Sequence, residues 1–257
     1  MERMPVLFVG HGSPMNAIED NLFTRTWKSV FAGIPKPKAI LSVSAHWYVP
    51  GTRVNDAAEP RMIYDMSGFP PELYAVVHPA PGAPELALEV GRMLDVKVAV
   101  DNTWGTDHGT WSVLHVMDPL AQIPVFQLSV DRNAGPAAHY ALGQQLSVLR
   151  DRGVLILGSG NVVHNLRQVD FNMAGGYDWA VSFDAAVKER ILARKDAEVV
   201  AYDAFGGMGR MAVPTPDHYL PLLYVLGAAD AGDRITVFNE ACTLGSMSMT
   251  GYLFGGK

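Results

Sequence analysis

Five short apolar runs constrain the fold of this chain more than any other feature of its sequence. Each has the length of a β-strand, and several are nearly continuous in Val, Ile and Leu. Such runs are typical of strands that are covered on both faces. They therefore predict a buried central sheet. The runs are PVLFVG (5–10), KAILSVSA (38–45), IPVFQLSV (123–130), GVLILGSG (153–160) and RITVFNEA (234–241).

Amphipathic segments separate these runs and predict helices. The second of them opens with Pro84 and Glu85, a proline at the first helical position and an acid in the first turn. Alternating strands and helices predict one α/β domain over residues 1–257, with a central mostly parallel or mixed sheet and helices on both faces. The predicted helices cover 21–34, 84–95, 136–153, 177–195 and 218–230.

The segment 48–84 departs from this alternation. It contains seven prolines and little periodicity. A loop of this length inside a compact domain is usually functional or carries short strands of its own. We expect this segment to form part of the wall of the active site.

Composition excludes several classes of function. The net charge is −6 and no block of Lys or Arg stands out, so neither nucleic acid nor an anionic membrane is an expected partner. Cys242 is the only cysteine, which rules out an internal disulfide and a zinc finger. We found no signal peptide pattern and no apolar run near the ~20 residues of a membrane span. We therefore expect a soluble cytoplasmic protein; its oligomeric state does not follow from the sequence.

Four histidines have positions that indicate a shared site. His11 and His46 directly follow predicted strands, and His164 follows another strand across the short loop NVV. In open α/β sheets, ligands bind beyond the carboxyl ends of the strands, so these imidazoles meet if their strands are neighbours. His218, in the fixed turn PTPDHYLP, can reach the same crevice.

Imidazole nitrogens at such a crevice are typical metal ligands. Neutral imidazole suits zinc, iron, copper and nickel, and catalytic metal sites keep three protein ligands and an open position. Three or four of the candidates could bind one ion, and their spacing leaves that choice open. The candidate ligands are His11, His46, His164 and His218.

The remaining polar candidates are less specific. In NTWGTDHGTWSVL, His108 lies either in a loop that caps the helix starting soon after it or in the site as an acid/base. For Asp217 we favour the N-cap of the helix at 218–230. His78 falls in the proline-rich loop, His115 fits a helix contact, and His139 is expected on the surface or flank of a helix.

Large aromatic side chains lie near these histidines in sequence. They could stack on an aromatic ligand or fill the core and rim, and both alternatives stay open. These side chains are Trp47, Tyr48, Trp104 and Trp111. The glycine turn GSGNVV (158–163) lacks the third glycine of a dinucleotide fingerprint, and Ser159 is not in a GxSxG elbow.

Five motifs in order along the chain resemble those of the class III extradiol aromatic ring-opening dioxygenases, of the DOPA 4,5-dioxygenase type that includes bacterial members. They extend from about residue 5 to the SMSM segment near residue 249. The motifs are VGHGSPMNAIEDN, VSAHWYV, DHGTW, SGNVVHNLR and PTPDHYLPLLYVLG.

This resemblance implies an oxidoreductase that opens a catechol such as DOPA and incorporates both atoms of O2. By resemblance, His11, His46 and His218 match metal ligands. His164 matches a residue that is either a fourth metal contact or the catalytic acid/base, and His108 matches a further pocket histidine. Fe(II) is the expected catalytic metal. Zn(II) suits the all-histidine set as well, because related enzymes place a carboxylate where this chain has His218.

Two other functions are compatible with the same residues. One is a zinc-dependent hydrolase, in which zinc would activate water rather than oxygen. The other is a non-catalytic small-molecule binding protein on the same scaffold, since fold alone does not determine function.

Overall fold

The computed structural model describes residues 3–255, so the domain ends predicted at 1 and 257 lie outside the described residues. The described strands are β1 (Val6–Gly10), β2 (Ala39–Val49), β3 (Thr52–Val54), β4 (Val98–Val100), β5 (Val125–Asp131), β6 (Val154–Gly160), β7 (Ile235–Phe238), β8 (Cys242–Thr243), β9 (Met247–Ser248) and β10 (Gly251–Phe254). The described α-helices are α1 (Leu22–Ala32), α2 (Pro71–Tyr74), α3 (Pro84–Met93), α4 (His108–Met117), α5 (Pro136–Leu146), α6 (Asp178–Leu192), α7 (Asp196–Val200), α8 (Gly207–Ala212) and α9 (Leu220–Ala228).

The central sheet is mixed. Its eight strands run in the order β4-β3-β5-β2-β6-β1-β10-β7. The four central strands β5, β2, β6 and β1 are parallel, whereas β10 pairs antiparallel with β1, and β7 pairs antiparallel with β10 at the edge. The carboxyl ends of β2, β6 and β1 therefore lie side by side at one edge, as the histidine pattern requires.

Alternating side chains of the central strands build two cores, one on each face of the sheet. On β1, Val6 and Phe8 join a core that includes residues of α3, α5, α6 and α9. Leu7 and Val9 point the other way and join a core with residues of α1 and α4. Because successive side chains of a strand point to opposite faces, a run apolar at every position needs helices on both sides. The predicted fold class is confirmed.

The proline-rich segment 48–84 is partly ordered into secondary structure. It contains the end of β2, then β3, and later the single turn α2. Ile63 N–H donates to the carbonyl of Thr106, and Thr106 N–H donates to that of Arg61, each at 2.8 Å. These hydrogen bonds fix the middle of the segment against the loop that precedes α4.

The three histidines that were not expected in the site all lie away from it. His139 is fully buried on α5, and its Nδ1 lies 3.1 Å from the hydroxyl of Tyr224, so the alternative of a surface position is wrong. His115 lies on α4 as predicted, and its ring faces that of buried His78 at a centroid distance of 6.2 Å. Among the described residues, no helix has the length and hydropathy needed to cross a membrane.

His78 makes stability sensitive to acid. Burial, followed by the neighbouring His115, lowers the pKa of His78 from 6.5 to about 4. In the unfolded chain the imidazole of His78 binds a proton below about pH 6.5, whereas in the folded chain it binds one only below about pH 4. The free energy of unfolding therefore decreases as the pH falls through this window. Between pH 6.5 and 5 the loss is about 2 kcal/mol. We expect urea unfolding of His78→Leu at these two pH values to show a smaller loss than the wild type. Equal losses in the two proteins would contradict this assignment.

Candidate metal centre and active site

Three imidazoles converge at the carboxyl edge of the sheet. The Nε2 atoms of His11 and His46 lie 3.2 Å apart, and one donor atom each from His11, His46 and His218 lie within 4.8 Å of one another. Two nitrogens that are each about 2.1 Å from one ion, at an angle of ~100°, lie about 3.2 Å apart. The spacing of these nitrogens therefore fits a single shared ion.

The strands deliver two of these histidines. His11 is the first residue after β1, and His46 lies near the end of β2. The register of β2 against β5 shifts between Val43 and Tyr48. Such irregularities re-aim side chains and are common next to active sites. The shift redirects the strand at the position of His46.

His218 is held by its backbone against the end of β6. The N–H of Asn161 donates to the carbonyl of His218 at 2.8 Å. A Cβ on Gly160 would lie 2.1 Å from that same carbonyl oxygen, so this close approach requires glycine. The PTPDHY turn therefore fixes the imidazole of His218 at the edge where β1 and β2 also end.

Ser159 determines which nitrogen of His11 carries the proton. The Ser159 hydroxyl donates its only proton to the carbonyl of Gly109, and its oxygen lies 2.9 Å from Nδ1 of His11. That oxygen must then accept from Nδ1–H of His11. The lone pair of His11 is left on Nε2, the atom that faces His46, as a metal ligand requires.

Carboxylates occupy the same position behind the other two imidazoles. Asp65 Oδ2 lies 3.1 Å from Nδ1 of His46, and Asp217 contacts Nδ1 of His218. The N-cap of α9 is Tyr219, which makes no side-chain cap, so the expectation that Asp217 caps this helix is wrong. Its carboxylate turns to the neighbouring imidazole instead. Each Nδ1 of the three-histidine group thus has an oxygen partner, and the residues present fit a bound divalent metal.

Removing the Ser159 hydroxyl tests this arrangement. We expect Ser159→Ala to weaken Fe(II) binding by about 10–100-fold, because the orientation and tautomer of His11 are no longer imposed. Competition with a chromogenic chelator measures the change. Ser112→Ala is the matched control, since Ser112 is also buried but its hydroxyl makes no hydrogen bond. Equal affinities for Ser159→Ala and the control would contradict the role of Ser159.

His164 and His108 flank the three-histidine group. The ring of His164 stacks on that of His218 at a centroid distance of 3.5 Å and an angle of 8°. The ring of His108 lies 3.8 Å from that of His46. Asp107 accepts from the N–H of Thr110 and caps α4, so the expected capping loop is present and His108 is the first residue of the helix. His108 also lines the cavity beside the three-histidine group, and its acid/base role stays a prediction. Two further groups of donors lie within 4.8 Å of one another: His46, Asp65 and His108, and His164, Asp217 and His218.

Burial sets the charge of these imidazoles. Burial, followed by the charge of His46, holds the pKa of His11 well below its usual value, and burial followed by His164 does the same for His218. Burial also lowers the pKa of His164, to about 4. At neutral pH these rings are neutral and can offer a lone pair without releasing a proton. Burial acts in the same direction on His46, but the contact with Asp65 and the nearby charges of Asp107 and Asp217 together outweigh it and raise the pKa of His46.

A cavity of about 500 Å³ opens over the histidines. This volume is within the range of small-molecule sites. Its lining combines imidazole rings with apolar side chains. The lining residues are His11, Gly12, Ser13, Pro14, His46, Asp65, Met66, Phe69, His108, His164, Leu166, Val169, Phe171, His218, Leu244 and Met247.

The aromatic residues singled out in the sequence do not line this cavity. Trp47 and Trp111 are buried, and Trp47 stacks on Trp104 at a centroid distance of 6.4 Å. The aromatic rings in the wall are Phe69 and Phe171. The four aromatic side chains near the histidines therefore belong to the core and rim, as the second of the two alternatives states.

The residue that sequence reasoning missed is Asp65. It lies in the proline-rich segment, which was expected to wall the site, but nothing in the pattern distinguished Asp65 from its acidic neighbours. The sequence pattern excludes Ser159 from a nucleophile elbow but does not reveal its role as the acceptor behind His11, which depends on the pairing of β1 with β6. Both roles arise from contacts between distant parts of the chain.

Comparisons with known proteins agree with this site. A family model described as the catalytic LigB subunit of aromatic ring-opening dioxygenase matches residues 5–255. A protein of Escherichia coli (strain K12) called 4,5-DOPA dioxygenase extradiol is 46% identical, covering 98% of this chain and 95% of the relative. A protein of the same name from Beta vulgaris is 37% identical, covering 96% and 95%.

A solved structure has the same fold. The crystal structure of an uncharacterized protein from Escherichia coli K12 matches with a TM-score of 0.84 and 41% identity, covering 98% of this chain and 100% of that one. The family match extends over almost the whole chain and includes every histidine of the site. The chain therefore belongs to the class III extradiol dioxygenases, the LigB family of metal-dependent enzymes that open aromatic rings with O2.

Proposed function

We propose that this enzyme is an Fe(II)-dependent dioxygenase that cleaves catechols such as DOPA at the 4,5 position, with His11, His46 and His218 as the metal ligands. The observation that carries the proposal is the convergence of these three donor atoms, each backed by an oxygen at Nδ1, on the floor of a cavity. Two relatives of similar length bear the name 4,5-DOPA dioxygenase extradiol.

Fe(II) at this position would bind both oxygens of a catechol, lower the pKa of its hydroxyls and allow electron density to pass from the ring to O2. Three neutral imidazoles leave coordination positions free for these reactants. The same donors suit Zn(II), so purified protein can carry zinc even though iron supports the reaction.

His164 is suited to move the proton of a catechol hydroxyl. Its ring lines the cavity, and its pKa of about 4, lowered first by burial, keeps it neutral at pH 7. A neutral imidazole can accept the hydroxyl proton and later return it to the opened product. His108 lines the same cavity and is the second candidate for this role.

The outer wall of the cavity is suited to hold the ring. Phe69, Met66 and Val169 add apolar surface to the cavity lining, and Phe171 lines it with 83% of its surface exposed. A flat aromatic ring buries apolar area against this wall while its two hydroxyls face the histidines.

Anaerobic reconstitution tests the proposed function. Protein loaded with Fe(II) is mixed with DOPA, other catechols and O2, and oxygen uptake and a yellow ring-opened product are followed. We expect one O2 consumed per catechol, and a product whose mass and NMR spectrum show 4,5-cleavage. A zinc-loaded sample is the matched control and should be inactive. Failure of the Fe(II) protein with the whole catechol panel would refute the proposal, and activity with zinc in the absence of O2 would favour the hydrolase alternative.

A further inference from the structure

Asp65 makes contact with two site histidines at once. Its Oδ2 lies 3.1 Å from Nδ1 of His46, and its Oδ1 lies 3.0 Å from Nδ1 of His108. The backbone N–H of His108 also donates to Oδ1 at 3.0 Å. Only 13% of the Asp65 side chain is exposed. A nearly buried carboxylate needs polar partners: Oδ1 accepts the backbone N–H of His108, and Oδ2 faces the imidazole of His46.

Sharing one carboxylate has a geometric consequence for both rings. A carboxylate oxygen only accepts, so a proton on each facing Nδ1 is electrostatically favoured over a lone pair at that atom. The lone pair of His46 is then on Nε2, which faces His11, and the free nitrogen of His108 is also Nε2. The two rings lie only 3.8 Å apart, so a change in the orientation of one is transmitted to the other.

The backbone around Asp65 is fixed to the same helix start. Besides the hydrogen bonds between 61–63 and Thr106, the indole N–H of Trp111 on α4 donates to the carbonyl of Ile63 at 2.9 Å. Asp65 is therefore carried by a segment that is attached to α4 on one side, while His46 belongs to β2. Its carboxylate connects the two.

We propose that Asp65 is a positioning residue that sets the orientation and tautomer of both His46 and His108, and so couples the metal ligand to the pocket histidine. This role rests on the proposed function, because it assigns His46 to the metal. It explains why the proline-rich segment enters the site.

Asp65→Asn tests the coupling, because asparagine keeps the size of the side chain but loses the second acceptor oxygen. We expect Fe(II) affinity, measured by competition with a chelator, to fall about 10–100-fold. Glu59→Gln, an exposed neighbour on the same segment, is the matched control and should bind like the wild type. Thermal unfolding and near-UV circular dichroism verify that the variants are folded. Unchanged affinity in folded Asp65→Asn would overturn the proposal.

A double-mutant cycle separates positioning from general damage. If Asp65 acts through His108, the loss of kcat caused by His108→Ala should be smaller in the Asp65→Asn background than in the wild type. Independent effects that multiply would overturn the coupling. Nitrogen-15 spectra of the wild-type histidines give a test that needs no variant: we expect Nδ1–H in both His46 and His108, and Nε2–H in either would overturn the proposal.

The two proposals fail in different ways. A wild-type enzyme that neither binds Fe(II) nor consumes O2 with catechols would refute the proposed function, and this role with it. A wild-type enzyme that does both, accompanied by folded Asp65→Asn with unchanged Fe(II) affinity, would refute the role of Asp65 alone.

Discussion

Replacing His11 by alanine is expected to abolish Fe(II) binding and ring cleavage together. His11 supplies one of three converging donors, and its Nε2 lies 3.2 Å from that of His46. Loss of a ligand should reduce affinity by more than the ~10–100-fold that the loss of an outer contact costs. Metal analysis after dialysis against micromolar Fe(II), and oxygen uptake with a catechol, measure the two losses.

His139→Gln is the matched control for this substitution. His139 is as buried as His11 but lies on α5, with its Nδ1 beside the hydroxyl of Tyr224. The control tests whether loss of any buried imidazole causes the defect, so we expect it to retain metal and turnover even if its stability falls. Stoichiometric Fe(II) in folded His11→Ala would contradict the assignment of His11 as a ligand.

Replacing His164 by glutamine is expected to lower kcat by about 10²–10⁴-fold, the usual contribution of a general acid/base. The reason is its position: the ring stacks on His218 and lines the cavity, where a neutral imidazole can take the catechol proton. We expect Fe(II) affinity to change by only a few-fold, which distinguishes this role from that of a fourth ligand. Single-turnover measurements at saturating catechol give the chemical step directly.

The corresponding His108→Gln variant provides the comparison. His108 lines the same cavity from α4, and it is the second candidate for proton transfer. We expect its kcat to fall less than that of His164→Gln. A larger loss of kcat in His108→Gln than in His164→Gln would show that His108 is the main acid/base. If His164→Gln lost as much bound Fe(II) as His11→Ala, His164 would be a metal ligand.

The central sheet could be predicted because its strands are apolar at nearly every position. All five apolar runs form strands. The side chains of each strand alternate between the two faces of the sheet and pack into one or both of the hydrophobic cores. The short strands β4, at the sheet edge, and β3, next to it, could not be predicted, since three residues carry little periodicity. β10 was also missed, because its segment GYLF is short and its partners β1 and β7 are distant in the chain.

The site was predictable to the extent that it depends on strand ends. His11 and His46 follow strands, so the parallel neighbours β1, β6 and β2 bring them together whatever the loops do. Contacts made by loops could not be predicted in this way. Asp65 contacts His46 only because of the path that the proline-rich segment takes. The carboxylate of Asp217 contacts the imidazole of His218 instead of capping α9.

The most direct test of the shared metal centre is a crystal structure of the Fe(II)-loaded enzyme with anomalous data collected on both sides of the iron absorption edge. We predict one anomalous peak, about 2.1 Å from an imidazole nitrogen of each of His11, His46 and His218. A peak elsewhere in the protein, or a peak that leaves any of these three nitrogens uncoordinated, would contradict the account.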